Sequence, residues 1–179
     1  NASLIELVLD DCKLGVAGGA GVLEALATNA TLQILKMSDN KIGAGVAPAL
    51  RELGYSTSLT ELDLSENKLG AEACGDLSAG LAMNASLKEL NLQRNDIHDE
   101  GAARLASALR GKSTLTRLVV ADNEIGKRGA ADLAGALKVN ASLASFDVAG
   151  NPICDEGAVA LADGLRESAS LRSLTTGRS

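Results

Sequence analysis

Apolar residues return along this chain in two alternating rhythms. In Leu87-x-x-Leu90-x-Leu92-x-x-Asn95-x-Ile97 the stretch Leu90-Asn91-Leu92 alternates apolar and polar side chains, the period of a strand. The phrase returns as Leu59, Leu62, Leu64, Asn67, Leu69, as Leu115, Leu118, Val120, Asn123, Ile125, and as Leu143, Phe146, Val148, Asn151, Ile153. After each copy the rhythm changes. Gly101-Ala102-x-x-Leu105-Ala106-x-x-Leu109 puts leucine at every fourth place with alanine between, a single apolar stripe on one side of a helix. Gly129, Leu133 and Leu137 repeat it, as do Gly157, Leu161 and Leu165.

Each unit therefore reads strand, loop, helix, loop. Leu4, Leu32, Leu59, Leu87, Leu115, Leu143 and Leu171 open successive units, at intervals of 28, 27, 28, 28, 28 and 28 residues. A helix of about ten residues is marginal alone, so packing against neighbouring units must hold it. The expected domain is a single solenoid over residues 1–179, with six complete units and the start of a seventh. The second unit is one residue short, has Val46 where others have Gly, and carries Pro48 in its helix segment. A distorted helix is expected there, with Pro48 near its first turn.

Asn40, Asn67, Asn95, Asn123 and Asn151 recur where the chain leaves the strand and turns inward, and Cys12 takes that place in the first unit. A loop buried between units has backbone groups without partners. An asparagine amide both donates and accepts, so it is suited to bond its own loop and that of the next unit.

These phrases resemble the leucine-rich repeat family, in its ribonuclease-inhibitor-like subclass, over the whole chain. The resemblance implies an α/β horseshoe: a curved parallel sheet on the concave face and helices on the convex face. Proteins of this subclass include NOD-like receptors, tropomodulins, Ran GTPase-activating proteins and scaffolds of ciliary assemblies. The resemblance implies a non-catalytic protein-interaction scaffold or recognition module, as a structural component of a large assembly, in a cytoplasmic, cytoskeletal or ciliary setting.

Composition sharpens this. Aromatics are almost absent, with Tyr55, Phe146 and no Trp, so leucine and alanine must fill thin layers. Leu4, Leu7 and Leu9 have no unit before them, and exposing a large apolar side chain forfeits roughly 1.5–3 kcal/mol. A fragment of a longer chain is expected, or ends covered by further repeats or neighbouring subunits. Cys12, Cys74 and Cys154 lie in units that are not neighbours, too far apart for a disulfide, which suits a reducing compartment. The net charge of −6 weighs against nucleic acid or an anionic membrane as partner and allows a protein with a basic patch.

Candidate chemistry is sparse, and no cofactor, metal or catalytic residue is assigned. Arg110-Gly111-Lys112-Ser113 ends like a phosphate-binding loop, but Ala106 stands where that loop needs Gly, and the segment runs from helix to strand. His98, the only histidine, has no companion at metal spacing and reads as an exposed loop residue. Asn-Ala-Ser/Thr at Asn1, Asn29, Asn84 and Asn140 matches the glycosylation pattern and supports an extracellular recognition domain as one alternative. All four occupy one repeat position, the turn from helix to strand, where a left-handed asparagine cap is the simpler reading. A second alternative is a GTPase-activating regulator, for which the resemblance singles out Arg94 and Asn95.

Strand positions between the buried leucines must point to the open face. The candidate binding surface is therefore Glu6, Asp10, Lys36, Glu61, Asp63, Glu89, Asn91, Gln93 and Arg117, with a rim of Asp11, Asp39, Glu66, Arg94 and Asp122. Acid gathers on the first four units, which favours steering of a basic partner.

Overall fold

The computed structural model describes residues 1–111 and 114–177. Strands and helices alternate in the order β1 (Glu6–Val8), α1 (Gly15–Ala25), β2 (Ile34–Lys36), α2 (Ala47–Arg51), β3 (Glu61–Asp63), α3 (Gly70–Met83), β4 (Glu89–Asn91), α4 (His98–Arg110), β5 (Arg117–Val119), α5 (Lys127–Leu137), β6 (Ser145–Asp147), α6 (Cys154–Glu167) and β7 (Ser173–Thr175). The seven strands form one parallel sheet in chain order. Register holds throughout, so Leu7, Leu35, Leu62, Leu90, Leu118, Phe146 and Leu174 stand in one row. The α/β solenoid expected from the repeat is the fold observed.

Five of those seven residues, Leu35 through Phe146, are buried against the helices. Beneath them lie Leu64, Leu92, Val120 and Val148 from the strand exits and Leu77, Leu105, Leu133 and Leu161 from the helices, in one continuous core. Small residues let the helices approach. A Cβ on Gly101 would lie 3.2 Å from the Ala71 backbone of the preceding unit, and one on Gly164 only 2.8 Å from the Ala134 carbonyl.

The second unit is distorted as its sequence suggests. α2 has five residues and is flanked by 3₁₀ turns, Ala44–Val46 and Glu52–Tyr55. Pro48 sits in its first turn and has no N–H to continue an α-helical ladder from the turn before it.

The loops that follow the strands hold the stack together. Asn95 uses every polar group it has. Its Nδ2 donates to the Leu64 carbonyl of the preceding unit (2.8 Å) and to the Gln93 carbonyl of its own (3.2 Å). Its Oδ1 accepts from the backbone N–H groups of Asn67 (3.1 Å) and Leu69 (3.3 Å). Its own N–H donates to Asn123 Oδ1 (2.7 Å), and its carbonyl accepts from Gly70 (2.8 Å). Asn40, Asn67, Asn123 and Asn151 repeat the side-chain pattern. The side chain thus reaches back to the preceding unit, not forward to the next. The forward link is made by the backbone N–H, which donates to the following asparagine.

In the first five units the two residues flanking the ladder position take the left-handed conformation. Asp11 and Lys13, Asp39 and Lys41, Glu66 and Lys68, Arg94 and Asp96, and Asp122 and Glu124 have φ between 49° and 59°. This conformation costs an L-residue roughly 1–2 kcal/mol, so the asparagine bonds must overcome it. The sixth unit solves the turn differently, with Gly150 at φ 68° and Pro152, which cannot take positive φ.

A second ladder runs through the turns that lead into the strands. Asn84 Nδ2 donates to the carbonyls of Leu53 (2.8 Å) and Ser56 (3.1 Å), and its Oδ1 accepts from Ser86 and Leu87 N–H groups (2.9 and 2.7 Å). Asn140 does the same with Leu109, Ser142 and Leu143. The left-handed cap expected at these sites is absent from Asn84, whose φ and ψ are −72° and 135°, extended. Both residues are buried.

We predict that Asn95→Ala lowers the free energy of unfolding by roughly 1–3 kcal/mol, since it strands buried donors and acceptors on two units. Urea titration followed by circular dichroism measures this. A loss under about 0.5 kcal/mol would mean that the backbone bonds suffice.

Candidate protein-interaction surface

The sheet face turned away from the helices carries two polar side chains from most strands. Because the strands are parallel and in register, like positions line up across them, and charge rows result. Lys36 Nζ stands 3.5 Å from Glu6 and 3.8 Å from Glu61, bridging carboxylates on both flanking strands. Arg117 lies 4.0 Å from Glu89. Asn91 Nδ2 donates to Asp63 Oδ2 (2.9 Å), and the other Asp63 oxygen accepts from the Ser65 N–H (2.8 Å) and hydroxyl (2.6 Å). At the rim Arg94 contacts Glu66 (3.1 Å) and Asp122 (3.6 Å), and Gln93 also donates to Asp122 (3.0 Å).

These side chains share the open face and its rim, and most of its acids do not stand alone. Glu61, Asp63, Glu89, Asn91 and Arg117 meet around a shallow depression of about 210 Å³, with Val119 on its floor. Gln93, Arg94 and Asp122 line another of about 300 Å³ with Asp147 and Thr175. Glu6 and Lys36 lie to one side of the first hollow, and Asp10 accepts from the Ser38 N–H (2.7 Å). Asp11 and Asp39 stand exposed on the rim. A search for charge passes over Val119, Asp147 lies outside the acid-rich first four units, and Thr175 belongs to a unit that the repeat only begins.

The other candidates fall elsewhere. Asn95 is fully buried with all its polar atoms engaged, and Arg94 is held between two carboxylates, so the pair offers no ready GTPase-activating element. His98 opens α4 rather than a loop and is exposed; its Nδ1 lies 3.3 Å from Glu124. Arg110 and Gly111 end α4, while Lys112 and Ser113 lie outside the described residues. Among the described residues no cluster of three metal-ligating side chains occurs, and no helix is long and apolar enough to cross a membrane. Asp99, unremarked in the sequence, accepts from the N–H groups of Gly126 (2.7 Å) and Gly129 (2.9 Å) and so caps α5 from the unit before it.

All three cysteines are free thiols. Cys12 and Cys154 are exposed. Cys74 is buried, which pushes its thiol up to about 12 despite the opposing Arg104 charge.

The leucine-rich repeat family model matches residues 28–45, 55–78, 84–106, 111–134 and 139–162, more than half of the chain. The chain belongs to the leucine-rich repeat family, and its helix-bearing units are those of the ribonuclease-inhibitor-like subclass. Among solved structures it is similar to leiomodin-1 actin-binding site 2, with 21% identity and a TM-score of 0.65 over 73% of this chain and 77% of that one. It is also similar to the tropomodulin C-terminal domain of Caenorhabditis elegans, with 17% identity and a TM-score of 0.64 over 77% of this chain and 84% of that one. At such identities the likeness is one of fold. No curated protein matches the chain by sequence.

We predict that a thiol reagent labels Cys12 and Cys154 in the folded protein and Cys74 only on unfolding, as read by intact mass. The raised Cys74 pKa also sets a sign. Above pH 9 the unfolded thiol ionises while the folded one stays neutral, so stability falls as pH rises from about 9 toward 12. Replacing Cys74 by Ala should remove about 1 kcal/mol of that fall by about pH 10. An identical pH slope in both proteins would contradict the burial argument.

Proposed function

We propose that this chain is a non-catalytic protein-interaction module whose open sheet face docks a basic segment of another protein. The observation that carries this is the in-register face of β3 to β5, where Glu61, Asp63 and Glu89 surround one depression beside a single arginine. The one histidine pairs with Glu124 and does not line the depression, which agrees with a binding role. Free cysteines and the buried amides of Asn84 and Asn140, which leave no room for a glycan, favour a cytoplasmic setting over an extracellular one. Nothing in the arrangement calls for nucleic acid or a membrane as ligand. A structural part in a larger assembly, cytoskeletal or ciliary, fits such a module.

Actin binding is the more specific form of this reading, favoured by the likeness to a leiomodin segment named for that activity. Co-sedimentation with filaments and native-gel shifts with monomers test it. Absence of both removes actin while leaving the module reading intact.

The general test begins with crosslinking mass spectrometry in native extract to find the partner. Glu61→Lys combined with Glu89→Lys should then weaken that partner about tenfold, with less salt dependence, while circular dichroism and unfolding midpoint stay close to the parent's. Unchanged affinity would move the binding site off this face.

A further inference from the structure

The edge where the strands exit carries a charge pattern of its own. The residue after each ladder position reads Lys13, Lys41, Lys68, Asp96, Glu124 and Pro152 along successive units. The three lysines are exposed and share one left-handed backbone conformation, with φ of 55°, 55° and 53°. Their loops are stacked: the Gly15 N–H donates to the Asn40 carbonyl (3.0 Å) and the Gly43 N–H to the Asn67 carbonyl (2.9 Å). The lysines therefore leave the edge in one direction, at about the strand interval of roughly 5 Å.

Folding makes no use of this row. Among the described residues none of the three lysines forms an ion pair, whereas Lys36, Lys127 and Lys138 each hold a carboxylate. Like charges set side by side cost stability. The row spans about one screening length, roughly 8–10 Å at physiological salt, so an anion outside meets all three together. The ground beside it is bare. Gly15, Gly43 and Gly70 stand two places beyond the lysines, and a Cβ on any of them would meet nothing within 4 Å. Their φ of 62°, 68° and 70° favours glycine without requiring it, since His98 and Cys154 hold the same place at 56° and 54°. Units one to three thus set a cation beside open backbone, and the fourth closes the strip with His98, 3.3 Å from Glu124.

We propose that this strip docks an acidic helix of a partner protein, laid across units one to three with its carboxylates on Lys13, Lys41 and Lys68. Residues three or four apart on a helix face lie about 5–6 Å from each other, close to the lysine interval, so glutamates at i, i+4 and i+7 meet all three. The bare glycines let the body of the helix lie against the edge. A continuous polyanion such as nucleic acid or an anionic membrane fits less well. Asp11, Asp39 and Glu66 run parallel to the lysines, two residues before them, and repel it. The strip is separate from the open sheet face and does not depend on which partner that face takes.

The test is an amide-resolved NMR titration of the whole chain with two alanine-rich helical peptides of one composition. The first carries glutamates at i, i+4, i+7 and i+11; the second has the same glutamates scattered around the helix. The first should shift the amides of the three lysines and their glycines, and at low salt should bind about tenfold tighter than the second. Lys13→Gln, Lys41→Gln and Lys68→Gln together should remove that preference, while the unfolding midpoint stays level or rises as like-charge repulsion is relieved. Equal affinity for the two peptides overturns the proposal, as does no binding at millimolar peptide. So does binding that leaves these amides unshifted or survives the three substitutions. Tighter binding of oligothymidylate or of phosphatidylserine vesicles through the same lysines also overturns it, because the occupant would then be a polyanion.

Discussion

The stack depends on satisfying backbone that has no sheet or helix to belong to. Each unit makes a three-residue strand and then must turn inward at once, leaving peptide groups inside a hydrocarbon layer where an unmet hydrogen bond costs about 1–3 kcal/mol. The ladder asparagine solves this by serving two loops at once, and in doing so it holds the spacing between units. Leucine burial supplies most of the free energy, but it is tolerant of small shifts. The amide is less so, and the asparagine that recurs from the second unit to the sixth ties each loop to the one before it.

That division explains what the sequence revealed. Strand and helix periods, the shortened second helix and the buried leucines were all legible, because each follows from side-chain spacing within one unit. The direction of the asparagine bonds was not, since spacing is the same whether the amide reaches forward or back. Nor were the left-handed residues beside it. Asp, Lys, Glu and Arg occupy those places without the glycine that would announce positive φ, and the conformation is imposed by the bonds around them. The second ladder was hidden for another reason. Asn84 and Asn140 read as turn residues from their repeat position, but spacing does not disclose that Asn84 is extended, or that both are buried and bond the preceding unit.

The surface was legible as a set of positions but not as a charge distribution. Alternation says which side chains leave the core, and all of them do. It does not say that Lys36, opposite Val8 and Asp63 in the register, reaches diagonally to Glu6 and Glu61, or that Arg94 stands between Glu66 and Asp122. Counting signs along the strand suggests a block of acid; pairing across strands interrupts it with Lys36, Arg94 and Arg117 but leaves each row net negative.

This pairing bears on how the face could recognise anything. Exposed pairs of this kind contribute only about 0–1 kcal/mol to folding, so they are not there chiefly for stability. Their effect on binding is larger. A distant partner feels the net negative charge of each row, which at physiological salt acts on a basic segment mainly within about 8–10 Å. At contact the rows act differently. A docking cation must displace Lys36 or Arg117 from its carboxylate or fit the spaces between, and only a matching pattern does so without leaving a charge unpaired. On the proposed docking of a basic segment, the arrangement therefore favours cations spaced to match the rows at short range.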